Sequence, residues 1–88
     1  MMKLVTIKDI LRKDTPIFYR MFYKGIAVIE LKRETGEYRI DFVIEVKPTG
    51  HVEISVTIVD AIEYPLLPLL KELKSFINDL YRSGELSV

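Results

Sequence analysis

The chain of 88 residues contains no cysteine, no tryptophan and no glutamine, and its only histidine is His51. Without cysteine there is no disulfide framework, no thiolate nucleophile and no thiolate zinc site. No apolar run approaches the ~20 residues of a membrane-spanning helix, and the charged start MMKLVTIKDILRKD lacks a signal-peptide core. These absences predict a soluble, cytoplasmic protein with no role at a membrane.

The sequence also lacks the motifs of common catalytic sites. The four glycines all fit turns, bends or caps, so there is no glycine-rich phosphate loop. None of the serines stands in a nucleophile motif. His51 lies near Glu45 and Glu53 on a predicted sheet face, but no further ligand would close a cation site there. We therefore expect no enzymatic activity, no cofactor and no bound metal.

The composition is that of one globular domain spanning residues 1–88, with 49% hydrophobic and 30% charged residues. Residues 1–39 carry nine Lys/Arg and five Asp/Glu (+4), whereas residues 40–88 carry four and eight (−4). A nucleic-acid-binding domain generally has a basic excess, so the zero net charge counts against that role, while the asymmetry leaves room for a local basic patch. Many Ile, Glu and Lys with little Asn weakly favour a thermophilic source.

The strongest pattern is the C-terminal stretch 61–84. At ~100° per residue, its apolar side chains fall in a sector about 140° wide. Pro65 and Pro68 fit the opening turn, where a missing N–H costs little, with Pro68 near the first helical position. Gly84 fits the C-terminal cap. This stretch predicts an amphipathic helix packed on one face of a sheet, with the following apolar residues: Leu66, Leu69, Leu70, Leu73, Phe76, Ile77, Leu80 and Tyr81.

Residues 5–13 predict a short N-terminal helix. Thr6 is a candidate N-cap, and Asp9 follows it by three residues as in a capping box. Val5 and Ile10 have the spacing of a hydrophobic staple.

Three further segments alternate apolar and polar residues, which is the pattern of half-buried strands. In residues 17–32 the odd positions are apolar, and we favour one long strand bent at Gly25 over a hairpin that turns at Lys24–Gly25. In residues 38–47 and 51–59 the even positions are apolar. Residues 33–37 are expected to form a turn between the first two of these strands.

The sequence Lys47-Pro48-Thr49-Gly50 fits a type I turn followed by a glycine bulge, which pairs Lys47 with His51. Strand partners then sum to 98, and both apolar sets lie on one face. The prediction is an α+β fold with a short N-terminal helix, a three-stranded antiparallel meander and a C-terminal helix packed on its apolar face. The predicted core is Ile40, Phe42, Ile44, Ile54, Val56, Ile58, Leu69, Leu73, Phe76 and Leu80.

These features favour a small interaction domain, most simply a homodimer or a domain that docks a protein partner. The leucine stripe is wide, several apolar residues face away from the predicted core, and the sheet edges have little protection. A symmetric contact would pair sheet edges or helices. The residues that we expect to contact the partner are Leu67, Leu70 and Tyr81.

The alternative function is single-stranded nucleic-acid binding. Phe18, Arg20, Phe22 and Lys24 alternate on the open face of the long predicted strand, and Arg39 lies on the neighbouring one. Aromatic rings between cations are typical of surfaces that stack bases, at about 1–3 kcal/mol per base. The competing explanation is that Phe18 and Phe22 are buried against another subunit or the N-terminal helix.

Overall fold

A computed structural model describes residues 2–13 and 15–86. These residues form four antiparallel strands and one helix, and the strands follow one another in the sheet in chain order. The helix covers one face, which we call the inner face, and leaves the opposite, outer face open. The predicted α+β class, antiparallel meander and packed C-terminal helix are therefore confirmed. The elements are β1 (Lys3–Lys13), β2 (Arg20–Leu31), β3 (Glu34–Val46), β4 (Val52–Ile58) and α1 (Leu66–Ser83).

The predicted N-terminal helix is wrong, and the sheet has four strands rather than three. Residues Lys3–Lys13 form β1, which pairs with β2 and carries a register shift on either side of Ile7. Such shifts are β-bulges, which insert an extra residue between side chains of the same face. Leu4, Ile7 and Ile10 pack against the core and come three residues apart instead of two. That spacing mimics one face of a helix, and it misled the sequence reading.

β2 runs through Gly25 without turning, so the single long strand is confirmed and the hairpin alternative is wrong. A Cβ atom at Gly25 would lie 3.1 Å from Cγ2 of Ile7 and 3.5 Å from Cγ1 of Ile10. Glycine therefore makes room on the inner face for the bulged part of β1.

The connection between β2 and β3 is shorter than predicted, and β3 already begins at Glu34. Lys32 and Arg33 alone form the turn, with φ angles of 50° and 68°. Two consecutive positive φ angles define the type I′ turn that suits a two-residue hairpin. Outside glycine this conformation costs on the order of 1 kcal/mol per residue, and the long β2–β3 pairing holds it in place.

The predicted register between β3 and β4 is confirmed: Ile40 pairs with Ile58, and Phe42 pairs with Val56. The ring of Tyr23 stacks on Phe42 with 5.0 Å between centroids. Among the predicted core residues, those on β4 together with Phe76 and Leu80 are only partly buried. The buried core comprises Ile7, Tyr23, Ala27, Ile29, Ile40, Phe42, Ile44, Leu69, Leu73, Ile77 and Leu86.

Helix α1 begins at Leu66, slightly earlier than predicted, and Gly84 caps its end in the left-handed conformation as expected (φ 80°). After this cap the chain turns back and buries Leu86, whose carbonyl accepts a 3.5 Å hydrogen bond from the Tyr23 hydroxyl. The helix backbone lies nearer to β4 and β1 than to the central strands, so the sheet curls around the helix.

Candidate functional site

The two outer strands of the sheet differ in how they protect their free edges. β1 contains Lys3, Lys8, Arg12 and Lys13 and is bulged twice. Bulges and cationic side chains are the features by which natural sheets discourage pairing with another strand. β4 reads VEISVTI, pairs with β3 without a register shift, and contains neither proline nor a cation. Between these two edges, only that of β4 is unprotected.

The backbone of β4 offers free hydrogen-bonding groups along this edge. The Lys47 N–H donates to the His51 carbonyl at 2.8 Å, and the Val59 N–H donates to the Arg39 carbonyl at 2.9 Å. Odd-numbered residues therefore bond to β3, and the N–H and C=O groups of even-numbered residues point away from the sheet. The side chains of those same even-numbered residues are apolar and half-buried on the inner face: Val52, Ile54, Val56 and Ile58.

An apolar groove adjoins this edge, between β4 and the first turns of α1. It encloses a volume of about 540 Å³, and Val56, Ile58, Ile62, Leu66 and Leu70 contribute its apolar lining. Such a groove is large enough to receive several aliphatic side chains. Together with the free backbone groups of β4, it forms the candidate interaction site.

The residues predicted to contact a partner do not form one surface. Leu70 lines the groove, and Leu67 is 76% exposed near it. Tyr81 lies about 21 Å further along the helix, at 1.5 Å per residue. It is half-buried against the core, at a small cavity that Tyr23 and Leu86 also line. Leu66 and the whole β4 edge are the parts that the sequence reading did not single out.

On the outer face, Lys47 lies between the two carboxylates that the register places opposite each other. Its Nζ is 3.1 Å from Glu53 and 3.6 Å from Glu45. The hydrogen bond with Glu53 and the charge of Glu45 raise the pKa of Lys47, and the same hydrogen bond lowers the pKa of Glu53. Lys47 thus offsets the repulsion between the carboxylates. In the described part of the chain no three His, Cys, Asp or Glu side chains are placed to hold a metal ion.

The residues predicted to bind nucleic acid are brought together in part. Arg20, Phe22 and Lys24 lie on the outer face of β2, and the Arg20 guanidinium lies 5.4 Å from the centroid of the Phe22 ring. Phe18 belongs instead to the turn before β2, where it is 86% exposed and contacts Tyr19 edge to face. Three of the four alternating residues therefore share one surface, and the first does not.

Arg39, the fifth predicted nucleic-acid contact, is bound to Asp60. Its Nη2 lies 2.6 Å from Oδ1 of Asp60, and its backbone N–H donates to Oδ2 at 2.8 Å. The side-chain and backbone hydrogen bonds from Arg39 lower the pKa of Asp60 to about 2, and the same contact raises the pKa of Arg39. The predicted register places Arg39 opposite Val59, and that was the available signal that Asp60 would lie within reach.

Lys8 of the outer face is likewise paired, with its Nζ 2.8 Å from Glu37. Two cations of this face are thus engaged by carboxylates, which weakens its attraction for phosphate groups.

A protein-family model matches residues 1–82 of the chain. The chain belongs to the BB_0187 family. The match covers all four strands and nearly all of α1, so the region that defines this family includes both the open edge of β4 and the groove beside it. No curated protein and no solved structure matches the chain.

Among the described residues of this family member, no helix has the length and apolar character required to cross a bilayer.

Proposed function

We propose that the protein is a non-enzymatic interaction domain that forms a homodimer through the free edge of β4. The observation that carries this proposal is the contrast between the two edges, with bulges and cations on β1 and neither on β4. An exposed strand with unpaired backbone groups is a template for pairing with another strand. The apolar groove beside it adds surface whose burial would stabilise the contact.

A second copy of the chain is the occupant that the side chains of β4 favour. When two copies of β4 run antiparallel about a twofold axis at Ser55, Ile54 lies opposite the partner's Val56 and Glu53 lies opposite the partner's Thr57. The even-numbered backbone groups, which are free in one chain, form the hydrogen bonds of this pairing. No like charges oppose each other, and the inner faces of both copies stay on the same side. The contact is symmetric, as in most homodimers.

The same register extends the apolar inner face from one copy to the next. The partner's Val52 and Ile54 then follow Ile58 and Val56 across the axis, beside the groove that Leu66 and Leu70 line. Apolar side chains from the second copy thus meet the half-exposed apolar side chains of the first, which supports self-association over pairing with a charged strand.

The charge of residue 55 is expected to control dimerisation. Ser55 is exposed on the outer face, so Ser55→Lys leaves the fold intact but places two lysines opposite each other across the axis. Like charges in that position cost up to about 1 kcal/mol, or about a fivefold weaker dimer. Ser55→Glu has the same effect, and an equimolar mixture of the two variants recovers dimers because a lysine then faces a glutamate. Sedimentation equilibrium, with one chain at 10.3 kDa, measures these masses.

The matched control is Ser75→Lys, the same change at an exposed position of α1, which is expected to leave the dimer unchanged. A wild-type chain that stays monomeric at every concentration would refute the homodimer. Equal weakening by Ser55→Lys and Ser75→Lys, or no recovery on mixing, would rule out pairing through β4.

A second candidate function is the binding of single-stranded nucleic acid on the outer face, which the contact between Arg20 and Phe22 favours. Fluorescence anisotropy with short oligonucleotides at low salt is expected to show binding by the wild type and its loss in Arg20→Ala/Phe22→Ala. Equal anisotropy for both proteins would exclude this surface.

A further inference from the structure

The outer face contains a cavity that belongs neither to the β4 edge nor to the inner groove. It encloses about 460 Å³ and extends across β1, β2 and β3 as far as Val59. This volume lies within the range of small-molecule sites in proteins, roughly 300–1,000 Å³.

A bulge in β1 accompanies this cavity. Lys8 pairs with Ile26 and Leu11 pairs with Lys24, so that Asp9 and the residue after it together face Gly25 alone. Asp9 adopts the left-handed conformation with φ 52°, which is the local distortion expected where two residues oppose one. The bulge brings the next side chain, Leu11, to the outer face, where it is 68% exposed.

The cavity joins an apolar surface to two opposite charges. Leu11, Ile26 and Val59 provide its aliphatic lining. The register places Lys24 next to Leu11 on one side and next to Asp41 on the other. Opposed charges such as Lys24 and Asp41 commonly form an ion pair, yet the structure contains none between them, although it pairs Lys8, Arg20, Arg39 and Lys47 with carboxylates.

We infer that this cavity binds a small zwitterion with a branched apolar body, in the class of the aliphatic α-amino acids. Lys24 would hold the carboxylate, Asp41 would hold the ammonium group, and the side chain would lie against Leu11, Ile26 and Val59. Charge-assisted hydrogen bonds at both ends would fix the orientation, while apolar contact would select the side chain. This binding is independent of the proposed dimer.

Titration of the ¹⁵N-labelled wild-type chain with L-leucine tests the inference. Amide shifts at residues of the cavity are expected to saturate. Two probes remove one charge each, 4-methylpentanoate lacking the ammonium group and 3-methylbutylamine lacking the carboxylate. Both are expected to bind at least about tenfold more weakly, as follows from the loss of one charge-assisted hydrogen bond.

Three variants locate the site on the protein. Lys24→Met and Asp41→Asn are each expected to weaken leucine binding about tenfold. The control is Lys3→Met, which removes an exposed cation of β1 that does not line the cavity and is expected to have no effect. Far-ultraviolet circular dichroism verifies that each variant is folded.

Three outcomes would overturn the inference. The first is leucine shifts that rise linearly to tens of millimolar without saturation. The second is equal affinity for leucine and 4-methylpentanoate, because the ammonium group would then make no contact. The third is equal loss of binding in Lys3→Met and Lys24→Met, which would indicate general charge attraction rather than a site.

Discussion

Replacing Phe42 with alanine is expected to lower the free energy of unfolding by about 3–5 kcal/mol. Phe42 is 1% exposed, and its ring lies parallel to that of Tyr23 with an interplanar angle of 12°. The truncation removes both the apolar burial and the stacking contact, and it leaves a cavity between sheet and helix that rigid strands fill poorly. Since natural domains have only about 5–15 kcal/mol of net stability, the variant should be close to unfolding. Urea denaturation followed by circular dichroism measures the change.

Phe18→Ala is the matched control, because it makes the same substitution at a ring that is 86% exposed. Its expected effect is within about 0.5 kcal/mol. Similar losses from the two alanine substitutions would mean that β3 does not face the helix as described.

Replacing Leu73 with alanine is expected to cost about 2–5 kcal/mol. Leu73 is fully buried in the middle of α1, and alanine is at least as good a helix former as leucine, so the loss reports on packing rather than on helix propensity. The thermal midpoint should fall by roughly 4–8 °C for each kcal/mol lost in a domain of this size.

Leu67→Ala, in the same helix but at a 76% exposed side chain, is the control and is expected to be nearly neutral. Both changes are best measured in a Ser55→Lys background, so that dimer dissociation does not contribute to the unfolding free energy. An unchanged melting temperature in Leu73→Ala would contradict the packing of α1 on the sheet.

The free edges of the sheet show where prediction from the sequence stops. The reading of residues 5–13 as a helix left the long strand that is now β2 at an edge of the meander. In the structure β1 covers that strand, and its own outer side carries bulges and cations. The unprotected edge is therefore that of β4. This asymmetry underlies the proposed function, and it emerged only once β1 was placed beside β2.

The candidate binding residues show the same limit. Alternation placed Arg20, Phe22 and Lys24 on the outer face correctly, because strand periodicity is a local property. It also assigned Phe18 to that face, although the strand begins only at Arg20. The engagement of Arg39 by Asp60 depends on how the chain leaves β4, which periodicity does not describe.

By itself the sequence determined the helix from Leu66 to its cap at Gly84, the register of β3 with β4, and the inner face of the central strands. These follow from local periodicity, from a three-residue loop and from glycine at a positive φ, and each acts within a few residues. Tertiary structure alone decided that Lys3–Lys13 is a strand, that Leu86 is buried and that β4 keeps a free edge. Bulges erase the two-residue period, and burial near a chain end depends on partners such as Tyr23, 63 residues away, so no local pattern could have revealed them.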